Sequence, residues 1–259
     1  MSFAGKAVLV TGSTTGIGEA CARLFAESGA RVMVSGRRSA AGHAVVEAIR
    51  AAGGDAQFAA ADLRAAGACE RLVGDTVERL GGLDILVNNA GILYTANALD
   101  TSDEQWLDTM AVNVTALFYL SRAAVKHMRA AGGGAIVNVA SEWGLNGEAN
   151  HVAYCASKGA VVQITRCMAL DHARDHIRVN SVCPGEIHTR MVDDILAKRG
   201  GDPAQNLRDL AAGIPMRRLA HPTEVARCVH FLASDLASYV TGTNLSVDGG
   251  NDATAGPYP

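Results

Sequence analysis

A chain of 259 residues that is 49% hydrophobic, 19% charged and 5% aromatic, with 28 glycines and 6 prolines, is not composed like a disordered segment, a collagen repeat or a disulfide scaffold. Its 23 basic and 26 acidic residues leave a formal charge of -3, and no basic stripe follows any helical pattern. Nucleic acid and anionic membranes therefore find no electrostatic footing, and the expected partner is a small molecule.

In chain order, residues 7–11 are a short β-branched-rich run that leads into glycines, and residues 17–28 follow with Ile17, Cys21, Leu24 and Phe25 on one helical face. The alternation then repeats. Strands are predicted over 31–35, 56–61, 84–88, 135–140, 177–183 and 244–247, and helices near 40–52, 66–80, 103–129, 152–173 and 223–234. Alternation of this kind means parallel strands joined by crossovers with helices on both faces, an α/β doubly wound sheet. No second core is called for, so residues 1–259 read as one domain. Only 184–213, rich in Pro, Gly, Asp and charge with one short helical pattern, breaks the rhythm, and it reads as a long loop on the substrate side. The tail from Gly249 is polar and ends in proline.

The six cysteines, Cys21, Cys69, Cys155, Cys167, Cys183 and Cys228, include no CxxC pair and mostly lie in apolar stretches, which fits a reducing compartment. Residues 1–6 carry no charged-then-apolar leader, and no apolar run approaches the ~18 residues of a membrane span. A cytoplasmic protein is expected.

The first strand runs into Thr11-Gly12-Ser13-Thr14-Thr15-Gly16-Ile17-Gly18. Glycines at this position let the backbone turn sharply and approach a pyrophosphate, whose charge then meets the N–H groups and positive dipole end of the next helix. The turn is thus a dinucleotide-site candidate, although three residues rather than one separate its first two glycines.

Together with Asn88-Asn89-Ala90-Gly91 after the fourth strand, Ser141 after the fifth, Tyr154-xxx-Lys158, and Pro184-Gly185 after the sixth, this turn resembles the short-chain dehydrogenase/reductase family, motif by motif and in order over about residues 6–250. The resemblance implies a seven-stranded parallel sheet in the order 3-2-1-4-5-6-7, a nicotinamide cofactor, and commonly a homotetramer. It also implies cofactor contacts from Gly12, Ser13, Thr14, Gly16, Ile17 and Gly18 in the turn, and from Asn89 and Gly91. Asp62 resembles the adenine-contacting acid of the family, with Leu63 packing beside it. Pro184, Gly185, Ile187 and Thr189 resemble the nicotinamide clamp, in which the Ile187 N–H and the Thr189 hydroxyl hold the carboxamide.

The end of the second strand, Val34-Ser35-Gly36-Arg37-Arg38, bears on the choice of cofactor. A carboxylate there bonds a free 2'-hydroxyl, whereas Arg accommodates a 2'-phosphate. No acid is available, and Arg37 offers a charge-assisted fork, so NADP(H) is expected. Thr15 stands where many NADP-using relatives carry a further basic residue, which keeps NAD(H) as the alternative.

Tyr154 and Lys158, four apart on a predicted helix, project from one face. Moving a hydride at carbon requires a proton to move at oxygen, and an unperturbed tyrosine, with pKa about 10, is a poor base at neutral pH. A neighbouring ammonium and a cationic nicotinamide both favour phenolate. Ser141, thirteen residues earlier at the end of a strand, is placed to hold the substrate oxygen beside the phenol. Asn113 resembles the fourth member of the family's catalytic set, holding a water that links Lys158 to solvent.

Around this centre the sequence places Leu93, Tyr94, Glu142, Trp143, Leu145, Asn146, Glu148, His151, Glu186 and His188. Glu142, Trp143, Glu148, His151 and Glu186 are the substrate-pocket candidates. Buried carboxylates need hydrogen-bond donors, and hydroxyl-rich substrates supply them, so a polyol, sugar or small polar alcohol is expected; Glu142 or Glu148 facing solvent, or a helix N-terminus, is the alternative. No metal is expected, since His172 and His176 share a face but lack a carboxylate partner in a known pattern. Three functions follow: a dehydrogenase interconverting a secondary alcohol and a ketone; a 3-oxoacyl-thioester reductase, for which Lys126 and Arg129 make only a sparse basic patch; and a non-catalytic nucleotide sensor, against which the intact Asn113, Ser141, Tyr154 and Lys158 argue.

Overall fold

The computed structural model describes residues 1–64 and 66–253. Seven parallel strands form a sheet in the order β3-β2-β1-β4-β5-β6-β7, the order implied by the resemblance. The strands are β1 (Ala7–Val10), β2 (Arg31–Gly36), β3 (Asp55–Ala60), β4 (Ile85–Asn88), β5 (Gly134–Val139), β6 (Ile177–Pro184) and β7 (Asn244–Val247). Nine α-helices are described: α1 (Gly16–Glu27), α2 (Ser39–Ala51), α3 (Ala66–Leu80), α4 (Asp103–Met110), α5 (Ala116–Ala131), α6 (Val152–His172), α7 (Arg190–Arg199), α8 (Pro203–Ala212) and α9 (Pro222–Ala233).

A parallel sheet covered on both faces needs strands that are apolar throughout, and β1 shows why. Val8 and Val10 join one core with residues of α1, α2 and α9, while Ala7 and Leu9 join the other with residues of α3, α5 and α6. The helices following β1 and β4 therefore cover opposite faces. Between these two neighbouring strands, at their carboxyl ends, the backbones diverge and leave a crevice. Buried amides fix the register next to it. Asn88 Nδ2 donates to Asn138 Oδ1 at 2.9 Å, and Asn138 Nδ2 donates to Thr165 Oγ1 at 2.9 Å, keying β4, β5 and α6 together.

Two predicted elements differ from what the structure shows. The helix expected over 103–129 is interrupted by a π-helical turn, Ala111–Thr115, between α4 and α5. Ser102 and Gln105 start α4 with a capping box, and Gly132 at φ 89° ends α5. Within the wide turn, Asn113 brackets the backbone of residue 92: its Oδ1 accepts from Ile92 N at 2.8 Å and its Nδ2 donates to Ile92 O at 2.9 Å. The second difference is at 184–213, which is helical rather than a loop. It contains α7 and α8, and α8 is started by Asp202, whose carboxylate accepts from Ala204 N at 3.1 Å with Pro203 in the first turn. The last residues of the predicted tail, 254–259, lie outside the described residues.

Candidate active site

The glycine turn is fastened to the end of β4. Thr11 Oγ1 accepts from Asn89 N at 3.1 Å and Ala90 N at 3.2 Å, and Asn89 Nδ2 donates to Thr11 O at 3.0 Å and Gly12 O at 3.1 Å. Such contact leaves no room for side chains in the turn. A Cβ at Gly12, where φ is 62°, would come within 2.8 Å of Ala90 Cα, and one at Gly18 would strike Asn89 Nδ2 and lie 2.5 Å from Gly12 O. Thr15, the N-cap of α1, makes no side-chain cap, so the first amides of the helix face a cleft of about 540 Å3 rather than a hydroxyl. A bare helix N-terminus behind a glycine turn fits the diphosphate of a dinucleotide.

Gly12, Thr14, Gly16 and Ile17 line the cleft as expected. Ser13 does not. It is fully buried, donates to Val10 O at 2.6 Å and accepts from Ser35 N at 2.9 Å, so it ties β1 to β2 beneath the turn. Gly18 likewise stays off the wall, and its part is the close approach to Asn89.

At the far end, Arg37, Arg38, Asp62 and Leu63 line the cleft, with Thr14 packed on Gly36. Arg64 joins them, a residue the sequence did not single out. It donates to Asp62 Oδ2 at 2.7 Å and to Asp108 Oδ1 at 2.7 Å, while Asp108 Oδ2 accepts from Tyr94 OH at 2.9 Å. Tyr94 is thereby committed to α4. The Arg64 guanidinium and the Tyr94 hydroxyl hold the Asp108 carboxyl below its usual range.

Asn89, Gly91, Ser141, Tyr154, Lys158, Pro184, Gly185, Ile187 and Thr189 converge on the near end of the same cleft. Tyr154 is buried, with its ring edge-on to Trp143 at 5.9 Å between centroids and Lys158 Nζ 5.5 Å from its own ring centroid. Lys158 Nζ donates to Val139 O at 2.8 Å. Burial acts on both. It pushes the Tyr154 phenol up, against the lowering contact of Ser141, and brings the Lys158 ammonium down to about 8. Desolvation thus outweighs the effect expected of the ammonium on the phenol. Asn113 stands behind the wall, and its Nδ2 donates to Ser157 Oγ at 3.0 Å, whose hydroxyl donates to Tyr154 O at 2.7 Å. Ser157 is a support that no motif in the sequence marked.

Glu142, Trp143, Glu148, His151 and Glu186 do not line the cofactor cleft. They gather in an adjoining cavity of about 230 Å3, closed by an apolar wall of Val192, Ile195, Leu196, Leu210 and Ile214. This wall comes from α7, α8 and the segment after them, residues whose Pro, Gly and charge read as a loop in the sequence. Glu142 is 6% exposed and so does not face solvent, whereas Glu148 is exposed; burial first, then Glu186, Asp248 and Asp252, push the Glu142 carboxyl up to about 8. His151 stacks on Trp143 at 4.6 Å and shares a hydrogen bond between Nδ1 and Ala149 O at 2.7 Å. Other residues flagged near the site turn away. Asn146 Nδ2 donates to Asp252 Oδ1 at 2.6 Å, and His188 is exposed, 3.9 Å from Asp193. His172 pairs with Asp175 at 3.0 Å, while His176 occupies a left-handed turn at φ 57°.

Residues 12–252 match the family model described as Enoyl-(Acyl carrier protein) reductase. Cyclopentanol dehydrogenase from Comamonas sp. is 43% identical over 248 residues, which cover 96% of this chain and 97% of that protein. Meso-2,3-butanediol dehydrogenase from Serratia marcescens is 39% identical over 257 residues, covering 99% of this chain and 98% of that protein. A crystal structure from Beutenbergia cavernae, described as a candidate NAD(P) dependent gluconate 5-dehydrogenase with NADP bound at low occupancy, matches with a TM-score of 0.91 at 37% identity, over 98% of this chain and 99% of that one. The chain belongs to the short-chain dehydrogenase/reductase family. It is an NAD(P)-dependent oxidoreductase that interconverts a secondary alcohol and a ketone.

The glycine turn yields a direct test. Gly18→Ala puts a methyl between Gly12 O and the Asn89 amide, so the turn must shift away from the crevice. NADPH affinity, read by fluorescence titration, is expected to fall by about tenfold or more, roughly 1.4 kcal/mol. Unchanged affinity would refute the role of this approach.

Proposed function

We propose that Ser141, Tyr154, Lys158 and Asn113 are the catalytic set of this oxidoreductase, and that the reaction takes place where the cofactor cleft meets the acidic cavity. The observation that carries the reading is the position of Tyr154, which lines the cleft while its ring meets Trp143 of the cavity edge-on. A substrate seated in the cavity brings its oxygen between Tyr154 OH and Ser141 Oγ. Gly185, Ile187 and Thr189 would hold the nicotinamide, which would supply or accept the hydride at the substrate carbon. Tyr154 gives its proton to the oxygen in reduction and receives it in oxidation, and Ser141 donates a hydrogen bond to that oxygen. Lys158 would bond the nicotinamide ribose and resupply the proton through a water beside Asn113. Gly91 supports this last step: a Cβ there would lie 3.4 Å from Asn113 Oδ1 and 3.6 Å from Lys158 Nζ, so the bare glycine leaves space beside both.

The substrate we propose is a small neutral alcohol or ketone with further hydroxyl groups. Three glutamates line the cavity, and among the described residues no lysine or arginine does. A carboxylate or phosphate there would meet like charge, which sets this chain apart from an enzyme of hydroxy acids. The same feature argues against an acyl-carrier thioester, whose phosphopantetheine is anionic; Arg129 of the sparse basic patch is already paired with Asp175 at 3.1 Å. The convergence of Ser141, Tyr154 and Lys158 on the cleft, with Asn113 bracing α6 behind them, argues against a sensor without chemistry.

We further propose NADP(H) as the preferred cofactor, supported by Arg37 and Arg38 at the adenosine end and by the absence of a carboxylate on β2. A cytoplasmic homotetramer built from single-domain subunits completes the reading. Its support is the six free cysteines, and two separate exposed apolar sets: Phe118, Val152 and Leu170 on α5 and α6, and Leu236 with Tyr239 beyond α9. No described helix is long and apolar enough to cross a membrane.

Three outcomes test these statements. Tyr154→Phe is expected to keep NADPH affinity while turnover of cyclic alcohols and vicinal diols falls at least about a thousandfold; retained turnover sinks the mechanism. Arg37→Asp is expected to lower the ratio of NADP+ to NAD+ efficiency by at least about tenfold, and an unchanged ratio in initial rates removes the assignment. Light scattering of protein isolated without reductant should give four times 26.8 kDa, with six titratable thiols and one unfolding transition, whereas a monomer mass, blocked thiols or two transitions would contradict the assembly.

A further inference from the structure

Among the described residues, Glu142 Oε2 is the buried carboxylate oxygen that lacks a hydrogen-bond partner. Its neighbour Oε1 has only a long contact, accepting from Asn251 Nδ2 at 3.4 Å. The unpartnered oxygen does not face the open cavity. It lies against Gly185: a Cβ at Gly185 would come within 2.9 Å of Glu142 Oε2 and within 2.9 Å of Asp248 Cα. Glu142 is therefore packed under the segment that leaves β6 toward the nicotinamide site.

The charges that face it are acidic, and they come from three parts of the chain. Glu186 follows Gly185 on the same segment, Asp248 follows β7, and Asp252 lies in the short turn Asn251–Ala253. Asp248 already accepts from Gly250 N at 3.0 Å and Asp252 N at 2.8 Å, and Asp252 accepts from Asn146 Nδ2 and Ser246 Oγ, so neither is in need of the Glu142 proton. Glu148 and His151 line the same cavity, and Tyr154 faces Glu142 electrostatically from α6. Lys158, the nearest buried cation on α6, is turned to Val139 O.

The segment above Glu142 is fastened along its outer side. Gly185 N donates to Val247 O at 3.1 Å, and His188 N donates to Ala220 O at 2.9 Å. On its inner side at Gly185 it rests on the Glu142 carboxyl and Asp248. A neutral acid in that place costs far less than a carboxylate, which there is a desolvated charge among like charges.

We propose that Glu142 is a positioning residue for the nicotinamide end of the cofactor site: neutral, it lets residues 184–187 lie down over it, and ionised, it drives that segment outward. The contacts of Ile187 and Thr189 with the carboxamide are then lost together, and cofactor binding weakens as the solution becomes alkaline. The inference rests on the reading of residues 184–189 as the clamp.

With a carboxyl that titrates near about 8, ionised and neutral forms stand at about ten to one by about pH 9. NADPH affinity of the wild type is accordingly expected to fall by about tenfold between about pH 7 and about pH 9 through this group. Lys158 titrates in the same interval and contributes to the loss in every variant, so the difference between wild type and Glu142→Gln isolates Glu142. The Gln variant should lose at least about fivefold less affinity over that interval.

A second readout uses the protein without cofactor. Because the folded carboxyl holds its proton far above the ordinary range, wild-type thermal stability should decline between about pH 5 and about pH 8 by an increment that Glu142→Gln lacks. Glu186→Gln removes a like charge, and should move the wild-type affinity loss to lower pH; this variant keeps the test open if Glu142→Gln does not fold. Equal affinity profiles in wild type and Glu142→Gln overturn the proposal, even if the stability profiles differ, because the carboxyl would then be a buried acid that positions nothing. Thr189→Ala separates the two readings: if it leaves NADPH affinity unchanged at about pH 7, residues 184–189 are not the clamp and the proposal falls with that assignment.

Discussion

The Asn89 side chain, inserted between β4 and the glycine turn after β1, is the contact on which the rest of the site depends. Its amide donates to both Thr11 O and Gly12 O, and Thr11 returns the favour by accepting from two backbone amides on the β4 side. These bonds cross the crevice between strands whose following helices cover opposite faces of the sheet, just past the backbone bond from Thr11 N to Val87 O at 3.0 Å. Because the approach is so close, Gly12 and Gly18 have to be glycine. The turn also sets the N-terminus of α1 in the cleft that Ser141, Tyr154 and Lys158 line. On the proposed reading, the amides of α1 meet the diphosphate in the middle of the cofactor, and side chains line its nicotinamide end.

The side-chain end is buried, and burial decides its protonation. Tyr154 and Lys158 both resist their charged forms in the protein, the phenol pushed up and the ammonium brought down to about 8. Neither group alone is poised as a strong base. What the fold supplies instead is order: Asn113 and Ser157 hold the backbone of α6 at Tyr154, and the π-turn that carries Asn113 is held by both polar atoms of residue 92. With positions fixed, the proposed mechanism would let charge that develops on a substrate oxygen meet groups that need no reorganisation.

The sequence revealed what the backbone demands and hid what packing decides. The glycine turn, the Asn-Asn-Ala-Gly stretch and the Tyr-Lys pair were legible because few residue types satisfy such turns or such chemistry, and the strand order came with them. Ser13 was misplaced, since a serine in a phosphate turn reads as a ligand contact, yet its hydroxyl is consumed by Val10 O and Ser35 N. The π-turn was illegible because one extra residue leaves the apolar stripes of α4 and α5 individually regular. The Pro, Gly and charge of residues 184–213 read as a loop, but Asp202-Pro203 is a helix start, and Val192 and Leu196 lie four apart on α7 facing the cavity, where Leu210 of α8 joins them. Arg64 carried no motif at all; only the fold brings it to Asp62 and Asp108 together.

The two pockets that meet at Tyr154 have opposite electrostatic character. The cleft is lined by Arg37, Arg38, Arg64 and Arg190 with Asp62 as its acid, whereas the cavity is lined by Glu142, Glu148 and Glu186 and by no lysine or arginine among the described residues. A chain with a net charge of only -3 has therefore separated its charges locally. An anion as large as a nucleotide is drawn to one side and turned away from the other, so its orientation is set before any contact is made. The same separation acts on the substrate. At a few ångströms in a partly buried site, like charges repel by several kcal/mol at most, enough to reject an anionic substrate but with no hold on a neutral one. Recognition of a neutral molecule must come from hydrogen bonds to the glutamates and from the fit of its carbon skeleton against Trp143 and the α7–α8 wall. On the proposed reading, α7 and α8 set selectivity from outside the sheet, while the chemistry is left to the end of β5 and to α6, which Asn113 and Ser157 hold in place.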